Sequence, residues 1–136
     1  MRGTSSTNLK DLLRRMSPRL ADGEYVFCTV PPDKIPRDLR PLGTFQEEEG
    51  TSLICRRGEA DQRSLRYEGA YRLITLTVHS SLAAVGFLAA VSAELAEAGI
   101  ACNAVSALCH DHLFVPSSDA GRVLALLEGL ARRDDP

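Results

Sequence analysis

Apolar residues recur at helical spacing near the start of the chain, and the segments that follow have the shorter period of strands. Residues 7–16 place three leucines and Met16 on one face, which predicts a surface helix packed on one side. Residues 31–41 carry four of the seven prolines and predict a loop. The other elements predicted for this half are strands at 24–30, 42–47 and 51–56 and one or two helical turns within 58–69.

The second half of the chain has a sharper pattern. Residues 71–79 alternate, with Ile74, Leu76 and Val78 on one face, and this alternation predicts a strand. The residues after it predict a helix to Ala98, capped by Ser80 or Ser81 and ended by Gly99. The β-α-β-β-α order is completed by strands at 100–109 and 112–115, a turn at His110-Asp111, and a last helix capped by Ser117 or Ser118.

This order predicts an α+β fold of the ferredoxin-like kind, βαββαβ, with antiparallel sheets and helices on one face. The right-handed crossover leaves room for another strand between the outer strands of such a unit. The last strands are apolar on both faces, so a second unit, a second chain or both must cover the face that the helices leave open. We expect one unit in residues 1–68 and another in 69–136.

Composition and charge exclude several classes of function. A net charge of −2, with arginine pairs scattered among acidic residues, provides no clustered basic surface for nucleic acid. The N-terminal residues have no apolar core like that of a signal peptide, and no apolar run approaches the roughly 18 residues that span a bilayer. We therefore expect a cytoplasmic protein that binds neither nucleic acid nor membranes.

The histidines and cysteines suggest a metal site or a catalytic triad, and the predicted strands and turns argue against both. His110 and His112, with Cys102 or Cys109, are residue types that bind zinc, but a turn at His110-Asp111 breaks the alternation that would align them. The four cysteines lack a CxxC pair and are expected to be small buried apolar residues.

The residue types of a catalytic triad are also present, in His79, Ser80 or Ser81, and Asp111. Neighbouring residues in a strand point to opposite faces, however, so no catalytic residue and no metal or cofactor is expected.

A binding site for a small molecule is the third alternative. A helix that begins after Ser81 exposes unpaired backbone N–H groups and the positive end of its dipole, which suit a carboxylate. Asp111 could bind an ammonium or guanidinium group, and Asn103 could donate or accept a hydrogen bond. The alternative remains that the serines only cap the helix and that Asp111 only forms a turn.

Four segments, "GEYVFCTV", "TFQEEEG", "LTVHSSL" and "HDHLFV", occur in the order found in small bacterial proteins built from paired ACT-like domains. The chain resembles that family over nearly its whole length. The family is related to the ACT modules of aspartate kinases and of the animal CASTOR arginine sensors. Many ACT loops carry Asp and Pro-Gly where this chain has "HSSLAAVG", so the ligand chemistry of those modules does not carry over directly.

The resemblance implies two ACT-like subdomains, a homodimer, and a regulatory protein that binds a small molecule, in most such modules an amino acid. Because 136 residues leave no room for one, we expect no catalytic domain beside these subdomains. The binding loop would comprise residues 79–84, and the full set of expected ligand-binding residues is His79, Ser80, Ser81, Leu82, Asn103 and Asp111. A module that serves only assembly and a small metal-binding protein remain the competing classes.

Overall fold

The computed structural model describes residues 8–78 and 86–133, which fall into two compact units. The large unit combines residues 8–22 with the described residues from Arg72 onward, and the small unit is Gly23–Tyr71. The elements, in chain order, are α1 (Leu9–Arg15), β1 (Pro18–Leu20), β2 (Tyr25–Val30), β3 (Gly43–Glu47), β4 (Gly50–Arg56), α2 (Arg57–Gln62), β5 (Tyr71–Leu76), α3 (Phe87–Glu97), β6 (Asn103–Ser106), β7 (Asp111–Pro116) and α4 (Ala120–Arg132).

The sheet of the large unit has the order β1-β5-β7-β6. β1 pairs antiparallel with β5, and β6 pairs antiparallel with β7. The inward side chains of β5 and β7 meet α1, α3 and α4 in one apolar core, so the helices pack on a single face. The predicted fold class, α+β with antiparallel strands and helices on one face, is confirmed.

The strand β1 lies between the helix predicted at 7–16 and the strand predicted at 24–30, where the sequence pattern predicts no strand. Three residues are too few to show a period, and proline is tolerated at the first residue of a strand at a sheet edge. Leu20 pairs with Ile74, so this short strand supplies the sixth element of a βαββαβ unit whose other five are β5, α3, β6, β7 and α4. The division of the chain at 68/69 stays a prediction. The large compact unit combines residues from both ends of the chain, and the small unit is the continuous segment Gly23–Tyr71.

The helix α1 shows how residues near the N-terminus join the core of the large unit. The Asn8 side chain accepts a hydrogen bond from the Asp11 backbone N–H at 2.8 Å and caps the helix. Leu12 is fully buried and Leu13 nearly so, and both pack in the same core as Ile74. The predicted one-sided helix is confirmed, and the surface that it packs on is the sheet of the second half of the chain.

The small unit is a three-stranded antiparallel sheet in the order β3-β4-β2, with α2 beside β2 and β4. The turn between β3 and β4 ends at Gly50, whose φ is +150°. A Cβ at this position would lie 2.5 Å from the Val30 carbonyl oxygen, so the turn requires glycine. The predicted hairpin is confirmed. Its core is formed by Val26, Cys28, Val30, Leu39, Leu53, Cys55 and Ala60.

Three predicted boundaries in the second half are wrong. The helix predicted from Ser81 to Ala98 begins at Phe87, because Gly86 has a φ of +92° that a right-handed helix cannot contain. The strand predicted at 100–109 is shorter, since only Asn103–Ser106 pairs with β7. The turn lies at Ala107–His110, where the Ala107 backbone N–H donates to the His110 carbonyl at 3.0 Å, so Asp111 belongs to a strand and not to the turn.

The cysteines are divided between the core and the surface. Cys28 and Cys55 are buried, as predicted, Cys102 is half-buried, and Cys109 is exposed, so the prediction is wrong for Cys109. None of the helices in residues 8–78 and 86–133 is long and apolar enough to cross a membrane.

Candidate functional site

The candidate site lies at the edge of the large unit where β5 ends and β7 begins. A hydrogen bond of 2.9 Å between Thr75 Oγ1 and His112 Nδ1 joins the two strands there. Val78 is buried nearby in the core and directly precedes the segment 79–85 in the sequence. The predicted ligand residues His79, Ser80, Ser81 and Leu82 belong to that segment and lie outside the described residues.

Asp111 is a buried acidic side chain at this edge. It is the first residue of β7 and only 7% exposed. Its side chain shares the helix-covered face with Leu113 and Val115, because side chains alternate along a strand. Ser106 Oγ donates a hydrogen bond of 2.5 Å to Asp111 Oδ1 from the facing position on β6. A hydroxyl group satisfies one lone pair but does not compensate the buried charge.

Asn103 lies at the other end of the same hairpin. It pairs with Phe114, whereas Ser106 pairs with Asp111, so three residues separate the two positions along β6. At the rise of an extended strand this separation is about 10 Å. Asn103 is also exposed, so the hairpin does not bring it to the contacts of Asp111.

Two histidines flank Asp111, and their rings lie near each other. The ring centroids of His110 and His112 are 6.4 Å apart and nearly perpendicular. Within the ranges 8–78 and 86–133, no three His, Cys, Asp or Glu side chains form a group that could hold a metal ion. Partial burial, and secondarily the charge of His110, lower the pKa of His112 below its usual 6.5, against the smaller opposing effect of Asp111.

The lowered pKa of His112 gives a prediction for stability against pH. Its folded-state pKa is below the unfolded value, so the unfolded chain binds more protons as the pH falls through 6.5. The free energy of unfolding should therefore be retained above pH 6.5 and decrease below it. Urea denaturation at pH 7.5 and at pH 5.5 measures this decrease in the free energy of unfolding. The decrease should be smaller for a His112→Gln variant than for the wild-type protein. An equal decrease in the two proteins would assign the effect to other groups.

The N-terminal end of α3 adds backbone donors to this edge. α3 follows β5 in the chain and packs back on the same sheet, so it begins on the side where β5 ends. Its first residue, Phe87, is buried, and the preceding Gly86 is left-handed. The first backbone N–H groups of the helix have no partner within it and carry the positive end of the dipole.

Sequence reasoning missed Ser106 as the hydrogen-bond partner of Asp111, and it missed Thr75 as the partner of His112 on the opposite face of the sheet. A signal for Thr75 was present, since Thr75 and Thr77 interrupt an otherwise apolar strand on the face that they share with His79. The Ser106 contact follows only from the hairpin register, and that register required the exact position of the turn.

Comparison with protein-family models found matches to both halves of the chain. One family model, described as ACT domain, matches residues 4–72, and a second with the same description matches residues 68–129. The comparison with curated proteins found no match.

Solved structures include a Vibrio cholerae protein of unknown function, described as a possible transport protein, with 43% identity and a TM-score of 0.81 over 90% of this chain and 95% of that one. An Agrobacterium tumefaciens protein has 21% identity and a TM-score of 0.72 over 86% and 90% of the two chains. The ligand-free regulatory subunit of aspartate kinase from Thermus thermophilus has 9% identity and a TM-score of 0.64. The match covers 87% of this chain and 97% of that subunit. The latter two establish a shared fold.

Proposed function

The chain belongs to the ACT-domain family, and from this premise we propose that it is a regulatory protein that binds an amino acid at the edge where β5 ends and β7 begins. The proposed ligand residues are His79, Ser80, Ser81 and Leu82, together with Asp111. Asn103 was predicted with them and stays a prediction for a larger ligand, since it lies at the far end of the hairpin from Asp111.

The observation that carries this proposal is the buried carboxylate of Asp111. Buried charges in proteins are normally compensated by a group of opposite charge, and a serine hydroxyl is the hydrogen-bond partner that the hairpin provides. Among the residues that the structure describes, Asp111 forms no ion pair, and the ammonium group of an amino acid would supply the opposite charge together with three donors. The Ser106 contact holds Oδ1, which leaves lone pairs of the carboxylate for such a donor.

The second charge of an amino acid fits the beginning of α3. A carboxylate is stabilised by unpaired backbone N–H groups at a helix N-terminus. α3 has 11 residues and begins after Gly86, on the side of the sheet where Asp111 lies. The ammonium group at Asp111 and the carboxylate at α3 would then orient the amino acid, and its side chain would contact the ligand residues proposed in the segment 79–85.

Regulation follows from binding only if the ligand distinguishes two states of the protein. A small molecule changes an equilibrium between two arrangements by as much as its affinities for them differ. We propose that this chain acts on a separate target, carries out no catalysis itself, and works in the cytoplasm. The regulatory subunit of aspartate kinase, which shares the fold, supports this role by analogy.

A thermal-shift screen of the 20 proteinogenic amino acids tests the proposal directly. A ligand that binds only the folded state at 100 times its dissociation constant adds about 2.7 kcal/mol to the free energy of unfolding. For a chain of this size, that gain corresponds to a rise of roughly 10 °C in Tm. We expect one or a few related L-amino acids to produce such a concentration-dependent rise, and their D-enantiomers a much smaller one.

A folded sample whose Tm responds to none of the amino acids would contradict the binding proposal and favour assembly alone. Circular dichroism and a cooperative melting curve establish that the sample is folded. A metal-binding function is tested on the same sample by elemental analysis, which would have to find stoichiometric zinc or iron.

The exposed strand β6 supports the homodimer that the family resemblance implies. All four residues of β6 are exposed, and it is the last strand of its sheet. Residues 100–109 contain no charged side chain, whereas sheet edges are normally protected by charges. Val105 and Leu108 are 42% and 75% exposed. An identical strand of a second copy could pair with this edge about a two-fold axis and cover both side chains.

A charge on β6 tests this interface. Val105→Lys should convert the dimer to a monomer in light scattering at micromolar concentration, because two lysines would approach each other across the two-fold axis. Ala125→Lys, at an exposed position on α4, adds the same charge elsewhere and should leave the dimer intact. A wild-type protein that is monomeric, or a Val105→Lys variant that remains dimeric, would contradict pairing through β6.

A further inference from the structure

Two cysteines lie next to each other in the core of the small unit. Cys28 is on β2 and 5% exposed, and Cys55 is on β4 and 1% exposed. Cys28 pairs with Leu53, and Cys55 follows two residues later on β4, so the two cysteines are diagonal neighbours on antiparallel strands. Both belong to the core that contains Ala60 of α2, and they therefore share one face of the sheet.

The thiols of the two cysteines interact directly. Burial, and secondarily the neighbouring Cys55 thiol, raise the pKa of Cys28 to about 11. Burial also raises the pKa of Cys55, against a smaller lowering by the Cys28 thiol. Both cysteines are free. The apolar interior of the small unit therefore contains a pair of adjacent thiols.

The spacing of these cysteines suits a bridging ion better than a direct bond. Diagonal neighbours on antiparallel strands have Cα atoms about 7–8 Å apart, whereas the Cα atoms of a disulfide are usually about 4.4–6.8 Å apart. A disulfide also requires the sulfur atoms to approach to about 2 Å. Two metal–thiolate bonds in a line, each about 2.3 Å long, hold the sulfur atoms roughly 4.6 Å apart. This longer bridge spans the diagonal without moving β2 along β4.

The number and kind of ligands limit which ion the pair could bind. In the parts of the chain that the structure describes, no third His, Cys, Asp or Glu joins these cysteines in a group that could hold a metal ion. Structural zinc takes four ligands, and calcium and magnesium take oxygen ligands. Thiolates select soft cations. The pair therefore fits a soft cation that binds two sulfur atoms in a line.

Charge decides between singly and doubly charged soft cations. Two thiolates with a doubly charged ion form a neutral bridge, whereas a singly charged ion leaves a negative charge in an apolar core, which is costly. Arg63 is a cation whose charge acts on Cys55, but its guanidinium already pairs with Asp38 at 3.1 Å and with Glu59 at 3.0 Å. The surroundings therefore do not compensate a negative bridge, and a neutral one is favoured.

We propose that Cys28 and Cys55 form a binding site for a doubly charged soft cation, with mercuric ion as its probe. Each thiol releases its proton when its sulfur bonds to the ion, so one ion replaces two protons. The ion enters when the segment 31–41 opens, because Leu39 of this segment is buried in the same core and the neighbouring Asp38 is held by Arg63. The bridge connects β2 to β4, and it should therefore reduce opening of the small unit.

Native mass spectrometry of the full-length chain tests this site. The half-buried and exposed thiols are removed in a Cys102→Ala/Cys109→Ser background, so that only the proposed pair can react. After mercuric chloride is added, we expect a mass gain of one mercury atom less two hydrogen atoms for each chain. Amide hydrogen exchange in β2 and β4 should become at least tenfold slower.

Variants that keep one cysteine of the pair are the matched controls. Glutathione has a single thiol, and removing the ion from the pair should require at least a hundredfold more glutathione than removing it from a Cys28→Ala or Cys55→Ala variant in the same background. A cooperative melting curve without the ion shows that each variant is folded. Cuprous ion should be removed from the pair by at least tenfold less glutathione than mercuric ion.

Several results would overturn the proposal. They are two mercuric ions bound to each chain, equal removal by glutathione from the pair and from the single-cysteine variants, unchanged exchange in β2 and β4, or cuprous ion held as tightly as mercuric ion. None of these results bears on the amino-acid site, because both cysteines belong to the small unit and Asp111 belongs to the large unit.

Discussion

Leu12→Ala should destabilise the large unit by about 3 kcal/mol, within the 2–5 kcal/mol that buried leucines lose on truncation to alanine. Leu12 has no exposed surface, and its core partners are in β5, β7, α3 and α4, at least 60 residues away in sequence. Amide hydrogen exchange should show the effect as a protection loss of about a hundredfold in β5 and β7. The amides of β2 and β4 belong to the other compact unit, so their exchange is a separate readout.

Leu9→Ala is the matched control, because it removes the same atoms from the same helix. Leu9 is 37% exposed, and its truncation should lower the free energy of unfolding by less than about 1 kcal/mol. A Leu12→Ala variant with unchanged exchange in β7 would contradict the assignment of α1 to the large unit. A fragment of residues 69–136 gives a further check, since it lacks α1 and β1 and should fail to fold cooperatively.

Local pattern was sufficient for the fold class, and it failed where long-range pairing decides the structure. The alternation in β5 and the apolar spacing of α4 are local properties, and both elements were predicted. β1 has three residues with no period of its own, and it becomes a strand only because the edge of β5 is available to it. A division of the chain into consecutive halves therefore followed naturally from the sequence, although α1 and β1 pack with the second half.

The site was less predictable than the fold, because its contacts depend on register. Asp111 was selected as a ligand residue from its charge and its place near a turn. Moving the turn to Ala107–His110 placed Asp111 inside β7, opposite Ser106 and buried. The same register places Asn103 three residues along β6 from the position that faces Asp111. No local sequence pattern reveals this separation. Likewise, an open cavity of the small unit is lined by residues that span positions 25–59, and only the folded unit brings them together.

Asp111→Asn should weaken binding of the amino acid identified by thermal shift by 10- to 100-fold. Hydrogen bonds to charged groups contribute about 1.5–3 kcal/mol, and the substitution removes the charge that would face the ligand ammonium. An asparagine has nearly the same size, and its carbonyl oxygen can still accept the hydrogen bond from Ser106. The affinity is measured by isothermal titration calorimetry, and the Tm without ligand should change by only a few degrees.

A ligand analogue distinguishes a direct contact from an indirect structural effect. The 2-hydroxy acid that matches the amino acid lacks the ammonium group, so its affinity should be nearly the same for the wild-type protein and for Asp111→Asn. Ser106→Ala removes the hydroxyl but keeps the carboxylate, and it should therefore retain the preference for the amino acid over the hydroxy acid. If Asp111→Asn weakened both ligands equally, Asp111 would act by positioning the hairpin, because only a residue in contact with the ammonium group can sense its removal.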